Sequence, residues 1–202
     1  MEETNMSVKG LDTYSNVSNG LTNIKNQGYS FVARYYSKSG NSKRMTAAEA
    51  AAIGSAGLKR VVVYQNIHQS YDKFSASIAS IEAGDAIGQA QANGQPSSVI
   101  YFAVDYDATS SEIDGNITEH FRVLKNMLSQ AGYSTGVYGS SLVCKKLKEA
   151  GLVTKTWLAK SSGWGYGTSF SDWNIKQGAE VVISGITFDS NTASSLSNIG
   201  GW

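Results

Sequence analysis

The stretch that decides the fold runs from residue 98 to residue 107 and reads SVIYFAVDYD. Its first part is a continuous apolar run, which is typical of a strand buried on both faces of a sheet. Its end carries Asp105 and Asp107, where the strand would leave the core. The stretch therefore predicts a buried strand of a helix-covered sheet, with carboxylates at its carboxyl end.

Similar short apolar runs alternate with longer amphipathic segments on both sides of this stretch. We predict strands at 8–14, 30–36, 60–65, 98–105, 134–138, 154–159, 173–177 and 186–189. We predict helices at 17–27, from 46 to about 56, from 72 to about 92, at 111–130 and at 140–150. Periodicity predicts two apolar stripes, one of Phe74, Ile78 and Ile81, the other of Ile113, Ile117, Phe121, Leu124 and Leu128.

This alternation of strands and helices predicts a parallel sheet covered by helices, and two architectures fit it. An open doubly wound sheet with a nucleotide site needs a Gly-rich turn after its first strand. The chain instead has Asp12-Thr13-Tyr14-Ser15-Asn16 there. We therefore predict an α/β fold: a modified, shortened (β/α)8 TIM-like barrel, whose last strands lack full crossover helices.

Length and composition set limits on organisation and chemistry. The chain has 202 residues, so we predict a single domain over 1–202 with its core at about 8–192. One cysteine, Cys144, excludes an internal disulfide, and two histidines make a multi-histidine metal site improbable. The formal net charge of +1 does not indicate binding to nucleic acid or to an anionic membrane.

The ends of the predicted strands carry most of the polar candidates. In a barrel of this type the active site is built at the carboxyl ends of the strands. Strands one, four and eight contribute the predicted catalytic residues Asp12, Asp105, Asp107 and Asp189. Two carboxylates two residues apart share one face of an extended chain, and their repulsion raises the pKa of one of them. Such a pair suits general acid–base chemistry, and we predict no cofactor and no metal.

Aromatic and amide side chains accompany these carboxylates. The predicted substrate-binding residues are Tyr14, Tyr36, Tyr64, Gln65, Tyr138, Trp157 and Gln177. Flat apolar faces beside polar groups suit sugar rings. Each tyrosine also has a plain structural interpretation as a core residue.

Other interpretations of the polar residues stay open at this point. An Asp at a strand end is often only a helix cap or a turn former. Carboxylates with an Asn would also suit Mg²⁺ or Ca²⁺. Lys160 is a candidate Schiff-base lysine, and Glu112 a backup acid. We predict structural or exposed roles for His68 and His120.

Several of these segments together resemble the glycoside-hydrolase-like domain-of-unknown-function family, which is related to the family 25 lysozymes (N-acetylmuramidases). The segments are Gly10-Leu11-Asp12-Thr13-Tyr14-Ser15, Phe31-Val32-Ala33-Arg34-Tyr35-Tyr36, Thr46-Ala47-Ala48-Glu49-Ala50, Tyr101-Phe102-Ala103-Val104-Asp105-Tyr106-Asp107, Gly136-Val137-Tyr138-Gly139, Trp157-Leu158-Ala159 and Phe188-Asp189-Ser190-Asn191. The resemblance covers about residues 8–192. Its most specific pieces are the Asp of strand one, the Asp-x-Asp of strand four and the Asp-x-Asn of strand eight.

The resemblance implies a barrel that cleaves the β-1,4 bond between N-acetylmuramic acid and N-acetylglucosamine in peptidoglycan. It implies that Asp107 is the general acid, that Asp105 assists it or holds the substrate's N-acetyl group, and that Asp12 and Asp189 frame the site. The family 25 lysozymes have Glu where this chain has Asp107. The shorter side chain leaves a second possibility open, a catalytically weak or inactive glycan-binding barrel.

The polar, acidic start at residues 1–7 lacks the features of a Sec signal peptide, and the longest apolar runs are too short to span a membrane. We therefore expect export by a non-Sec route, or release by lysis, and action on the cell wall as an antibacterial effector or an endolysin. The expected partner is the peptidoglycan glycan strand. A delivery apparatus or an immunity protein is a further possibility, and we expect no nucleic acid or membrane partner.

Overall fold

The computed structural model describes residues 8–66, 70–160, 162–164 and 167–202, and its strands form one closed barrel in sequence order. The strands are β1 (Val8–Asp12), β2 (Phe31–Tyr36), β3 (Lys59–Tyr64), β4 (Val99–Ala103), β5 (Ser134–Gly139), β6 (Lys155–Leu158), β7 (Ile175–Ile183) and β8 (Ile186–Ala193). Strands β1 to β7 run parallel to one another. This confirms the predicted TIM-like barrel.

Helices cover the outside of the barrel. They are α1 (Leu21–Asn26), α2 (Ala47–Ser55), α3 (Ala76–Ala92), α4 (Ser110–Glu112), α5 (Thr118–Gln130) and α6 (Ser141–Glu149). The stripe predicted from Ile113 to Leu128 is fully buried, as expected for the core face of an amphipathic helix. None of the helices in the described ranges is long and apolar enough to cross a membrane.

The stripe predicted for α3 is wrong. Phe74 is buried but precedes the helix, which begins after its N-cap Ser75, and Ile81 is 67% exposed. The buried face instead consists of the alanines and two polar residues, namely Ala79, Glu82, Ala83, Ala86, Gln89 and Ala90. Because alanine is small, this face allows the helix to approach its neighbours closely.

The helix predicted at 111–130 is interrupted at Gly115. A turn of π-helix at Ile113–Ile117 separates α4 from α5, and Gly115 has non-helical dihedral angles. The hydroxyl of Tyr71 accepts a hydrogen bond from the amide of Asn116 at 3.2 Å. A Cβ atom at position 115 would lie 2.7 Å from that hydroxyl, so the tyrosine inserts where only glycine fits.

Strand β8 runs antiparallel to both of its neighbours. Its direction follows from the two-residue turn Ser184–Gly185, in which both residues have positive φ, as in the tight turns that join antiparallel strands. The strand therefore enters the barrel at the end where β1 to β7 have their carboxyl ends, and it leaves at the opposite end. Asp189 accordingly lies within β8, not at its carboxyl end as the prediction placed it.

The interior of the barrel is packed with side chains rather than open. Its apolar members include Phe31, Val63, Tyr101, Trp157 and Ile175. The amino end is closed by the C-terminal segment, in which Ile199 is fully buried and accepts a hydrogen bond from the Tyr101 hydroxyl at 2.9 Å. The other end of the barrel carries the polar side chains.

Candidate active site

Three of the four predicted catalytic carboxylates, Asp12, Asp105 and Asp189, meet at the carboxyl end of the barrel. The opening between them is called the mouth below. Asp12 ends β1 and is paired directly with Asp189 of β8. Residues paired in this way have Cβ atoms about 4.5–5.5 Å apart. Asp105, two residues beyond β4, acts electrostatically on Asp12 from across the mouth. Barrel closure therefore assembles an acidic group from residues far apart in the sequence.

Asp12 is buried and held by two amide side chains. The Nδ2 of Asn191 donates a hydrogen bond to Asp12 Oδ2 at 2.6 Å, and the Nε2 of Gln177 donates to the same oxygen at 3.2 Å. Asn191 in turn accepts a hydrogen bond from Trp157 Nε1 at 2.8 Å, and Gln177 accepts one from the Tyr138 hydroxyl at 2.9 Å. These bonds fix the position of the carboxyl group and orient both amides.

Burial dominates the electrostatics of Asp12. It raises the pKa of this carboxyl to about 7, and the negative charges of Asp189 and Asp105 act in the same direction. The hydrogen bonds from Asn191 and Gln177 oppose the rise because they stabilise the charged form. Asp12 therefore holds its proton up to near neutral pH, in a site where its neighbours are also acidic.

A β-bulge brings a fourth carboxylate to this group. The register between β7 and β8 shifts between Gln177 and Glu180, so that Gln177 pairs with Asn191 and Glu180 pairs with Asp189. Burial raises the pKa of Asp189, the charge of Glu180 raises it further, and that of Lys160 lowers it. Without the extra residue, Glu180 would face away from the mouth.

Asp105 is held from the opposite side of the mouth. The Nε2 of Gln65 donates a hydrogen bond to Asp105 Oδ2 at 2.9 Å. The Oε1 of the same Gln65 accepts a hydrogen bond from Lys43 Nζ at 3.2 Å. That ammonium also lies over the ring of Tyr35, 5.1 Å from its centroid.

A small cavity of about 20 Å³ lies between these groups. It is lined by Tyr35, Val63, Gln65, Ala103, Asp105, Tyr138 and Trp157. A space of this size holds about one water molecule. Any ligand larger than this therefore has to lie across the mouth.

Asp107 and Tyr14 lie outside this cavity. Strand β4 ends at Ala103, so Asp105 and Asp107 belong to the loop that follows it. Asp105 is half-buried whereas Asp107 is exposed. Tyr14 is 68% exposed, two residues beyond the end of β1. Both side chains are therefore accessible to a large substrate.

The prediction that Tyr36 and Tyr64 contact the substrate needs correction. Both side chains point outward, into the layer between the barrel and its helices. The Tyr36 hydroxyl donates a hydrogen bond to Gln95 Oε1 at 2.8 Å, and the Tyr64 hydroxyl donates one to Asp85 at 3.1 Å. Successive residues of a strand face opposite sides, so Tyr35 faces the mouth and Tyr36 does not.

A buried ion pair supports the loop that follows Asp12 and carries Tyr14. Arg34 Nε lies 2.7 Å from Glu49 Oε1, and both side chains are almost fully buried. Arg34 also donates a hydrogen bond to the carbonyl of Thr13 at 2.6 Å, and Glu49 accepts one from the amide of Val17 at 2.9 Å. The pair therefore connects β2 and α2 to the β1–α1 loop.

The remaining candidates have mostly structural surroundings. Glu112 forms a capping box with Thr109, and buried His120 lies 3.2 Å from Glu82. Lys160 is exposed, whereas a Schiff-base lysine is activated by an apolar pocket or a neighbouring cation, which disfavours the lyase interpretation. His68 lies outside the described residues.

The list of predicted site residues omitted three residues that the structure places at the site, namely Tyr35, Lys43 and Asn191. Alternation along β2 allows only one of Tyr35 and Tyr36 to face the mouth, but it does not say which. The Asp-x-Asn of β8 places Asn191 on the same face as Asp189, so the spacing contained a signal for it. Lys43 lies in a loop, and no periodicity predicts its position.

One family of known proteins matches this chain over most of its length. Residues 22–192 match the family described as Rv2525c-like, glycoside hydrolase-like domain. The chain belongs to this family. The match spans strands β2 to β7 and nearly all of β8, and therefore contains every predicted site residue except Asp12 and Tyr14.

This chain is similar to a protein of related sequence and to a protein of solved structure. The uncharacterized protein FadG of Bacillus subtilis is 26% identical over 197 residues, which cover 90% of this chain and 34% of FadG. The chain thus spans about a third of that relative's length. The Tat-secreted protein Rv2525c of Mycobacterium tuberculosis is 22% identical, with a TM-score of 0.82 over 97% of this chain and 98% of that one.

A more distant structural neighbour has a described ligand. The modular autolysin LytC of Streptococcus pneumoniae, in complex with a synthetic peptidoglycan ligand, is 15% identical with a TM-score of 0.65. The alignment covers 93% of this chain and 46% of LytC. At this level of identity the similarity shows a shared fold.

Proposed function

We propose that this protein is a peptidoglycan glycosidase, a muramidase of the lysozyme type. The observation that carries the proposal is the meeting of Asp12, Asp105 and Asp189 at a barrel mouth lined by aromatic rings. Acidic side chains are rarely brought together in a partly buried site without a role. The fold shared with an autolysin bound to a peptidoglycan ligand supports the choice of substrate.

In the proposed mechanism, Asp107 donates a proton to the glycosidic oxygen of a strand lying across the mouth while the bond from that oxygen to C1 breaks. Water then adds to C1 and gives up a proton to a carboxylate of the mouth. The exposure of Asp107 on the loop after β4 gives it access to such a strand. Asp105, held by Gln65, stabilises the oxocarbenium-like transition state or positions an assisting acetamido group. Asp12 and Asp189 frame the opposite side of the mouth.

The substrate contacts follow from the positions of the polar groups. Tyr138 and Gln177 lie at the mouth and are hydrogen-bonded to each other, while the exposed ring of Tyr14 offers a surface for a sugar outside the cavity. Trp157 is only 1% exposed, so its main part is to orient Asn191. Action on peptidoglycan also implies that the protein works at the cell wall, and the Tat secretion of the structural relative Rv2525c agrees with export.

Digestion of purified sacculi tests this proposal. Mass spectrometry of the products is expected to show new reducing ends at N-acetylmuramic acid, and Asp107→Asn is expected to abolish them. Asp114→Asn is the matched control, because Asp114 is an exposed carboxylate of the same segment that pairs with Lys146. Intact sacculi after incubation with the native protein would contradict the proposal.

A second candidate function is glycan binding without efficient catalysis. It is favoured by the short side chain of Asp107, since a misplacement of about 1 Å can cost about 100-fold in rate. Calorimetry showing that a glycan fragment binds without being cleaved would support it. Tyr14→Ala is expected to weaken such binding at little cost in stability, because the ring is 68% exposed.

A further inference from the structure

A lysine lies on one side of an otherwise acidic mouth. Lys43, in the loop between β2 and α2, is half-buried against Tyr35, with its Nζ atom 5.1 Å from the ring centroid. Its ammonium donates hydrogen bonds to Gln65 Oε1 at 3.2 Å and to the carbonyl of Asn66 at 3.4 Å. An ammonium has three N–H donors, so one donor is left for a ligand.

The surroundings of Lys43 favour binding of an anion. Burial lowers the pKa of this lysine, but the negative charge of Asp105 raises it, which helps to keep the ammonium charged. The side chain makes no ion pair within the described ranges. The remaining donor of this half-buried cation is therefore available to an anionic group of a ligand.

A groove of about 430 Å³ begins beside this lysine. It is lined by Lys38, Ser39, Asn41, Asn66, Lys73, Ile78 and Glu82. Asn41 and Asn66 both contact Lys43, through its amide and its ammonium respectively, so two residues of the groove lie directly beside this lysine.

The charged side chains of this groove differ in whether they form ion pairs. Glu82 is paired with His120, and Lys73 with Asp72. Lys38 is exposed and makes no ion pair within the described part of the chain. Lys38 and Lys43 are therefore the cations available to a ligand that extends from the mouth into the groove.

We propose that Lys43, assisted by Lys38, forms a carboxylate-binding subsite that selects carboxylate-bearing glycans. The inference rests on the proposed function and deepens it. The mouth itself repels a carboxylate, because Asp105 and Asp189 add negative charge to it, and the net charge of +1 gives no general attraction. An anionic substituent therefore needs a cation at the rim.

Peptidoglycan supplies this carboxylate from two sources. A muramyl unit without a peptide has a free lactyl carboxylate, and a stem peptide carries carboxylates of its own. Chitin oligosaccharides have a similar β-1,4-linked backbone of N-acetylated sugars but no carboxylate. The subsite therefore predicts discrimination between muramyl glycans and chitin.

Calorimetry on the Asp107→Asn protein, which prevents turnover, tests the subsite with three probes. The probes are a peptide-free muramyl tetrasaccharide, the same tetrasaccharide with its stem peptides, and chitotetraose. We expect Lys43→Met to weaken binding of at least one muramyl probe about tenfold and to leave chitotetraose binding unchanged. Lys43→Arg is expected to restore much of the affinity, and added salt to reduce the difference.

The controls separate this inference from the proposed function. Lys145→Met is the matched control, because Lys145 lies on α6 beside a different groove. The probe that responds to Lys43→Met identifies the source of the carboxylate. Equal weakening of all three probes, or no change in any of them, would overturn the subsite alone. Failure of every probe to bind before Lys43 is changed would overturn both the subsite and the proposed function.

Discussion

Asp12 combines burial with a dense set of hydrogen bonds, and this combination makes its protonation part of the folding equilibrium. Its pKa is about 7 in the folded protein, against 3.8 for an unperturbed aspartate. The raised pKa means that the folded state holds the proton more tightly than the unfolded state. The resulting stabilisation is fully present below about pH 4 and is lost as the pH rises through about 7.

We therefore expect Asp12→Asn to flatten the pH dependence of stability. An asparagine cannot ionise, so the variant gains stability relative to the native protein as the pH rises from about 4 to about 8. A shift of roughly three pKa units corresponds to about 4 kcal/mol at most. Denaturant unfolding at several pH values measures it, with Asp114→Asn as the exposed control. An unchanged pH dependence in Asp12→Asn would contradict the assignment.

The sequence predicted which carboxylates lie at the mouth better than it predicted which aromatic rings do. The meeting of Asp12, Asp105 and Asp189 was predictable because each lies at the end of a predicted strand, and closing the barrel places strand eight beside strand one. Tyr36 and Tyr64 were not, because tyrosine suits both a binding surface and a core, and only the facing of each strand decides between them. Asp107 as general acid stays a prediction.

At the scale of elements, the β7–β8 hairpin shapes one wall of the mouth. Its turn and its bulge, at residues 184–185 and 178–179, decide the direction of β8 and the facing of Glu180. A Cβ atom on Gly178 would lie 2.8 Å from Ser190 Oγ, so a larger residue there would require that hydroxyl to move. The short spacing between the last two strands predicted that no helix connects them. The bulge was not predictable, because a single inserted residue does not show in the hydrophobic periodicity.

This wall predicts two opposite changes in the pKa of Asp189. Glu180→Gln removes a neighbouring negative charge and is expected to lower this pKa, whereas Lys160→Gln removes a positive charge and is expected to raise it. The carboxyl carbon shift of Asp189, followed by NMR over a pH titration, measures both. A change of the Asp189 pKa in the same direction in both variants would contradict this electrostatic explanation.

At the scale of the whole molecule, the segment that closes the barrel and the candidate active site lie at opposite ends of the barrel. The amino end is closed by residues 196–202, which follow the part of the chain that matches the family. Trp202 exchanges main-chain hydrogen bonds with Arg60, and its ring lies under that guanidinium. Strand and helix alternation predicted the barrel, but it gave no sign of this closing segment, because the segment has no regular period.

Gly200 allows a test of this separation. It has a φ of +71°, and a Cβ atom there would lie 2.4 Å from Val99, whereas Gly94 has a φ of +65° with open space around it. Because both substitutions to alanine share the backbone strain, their difference isolates the packing of the closing segment. We expect Gly200→Ala to lose about 1–3 kcal/mol more unfolding free energy than Gly94→Ala. Glycan affinity, measured by calorimetry well below the unfolding transition, is expected to stay the same in both variants, since the carboxylates lie at the opposite end. A fall in affinity that parallels the loss of stability would show instead that the two ends of the barrel are coupled.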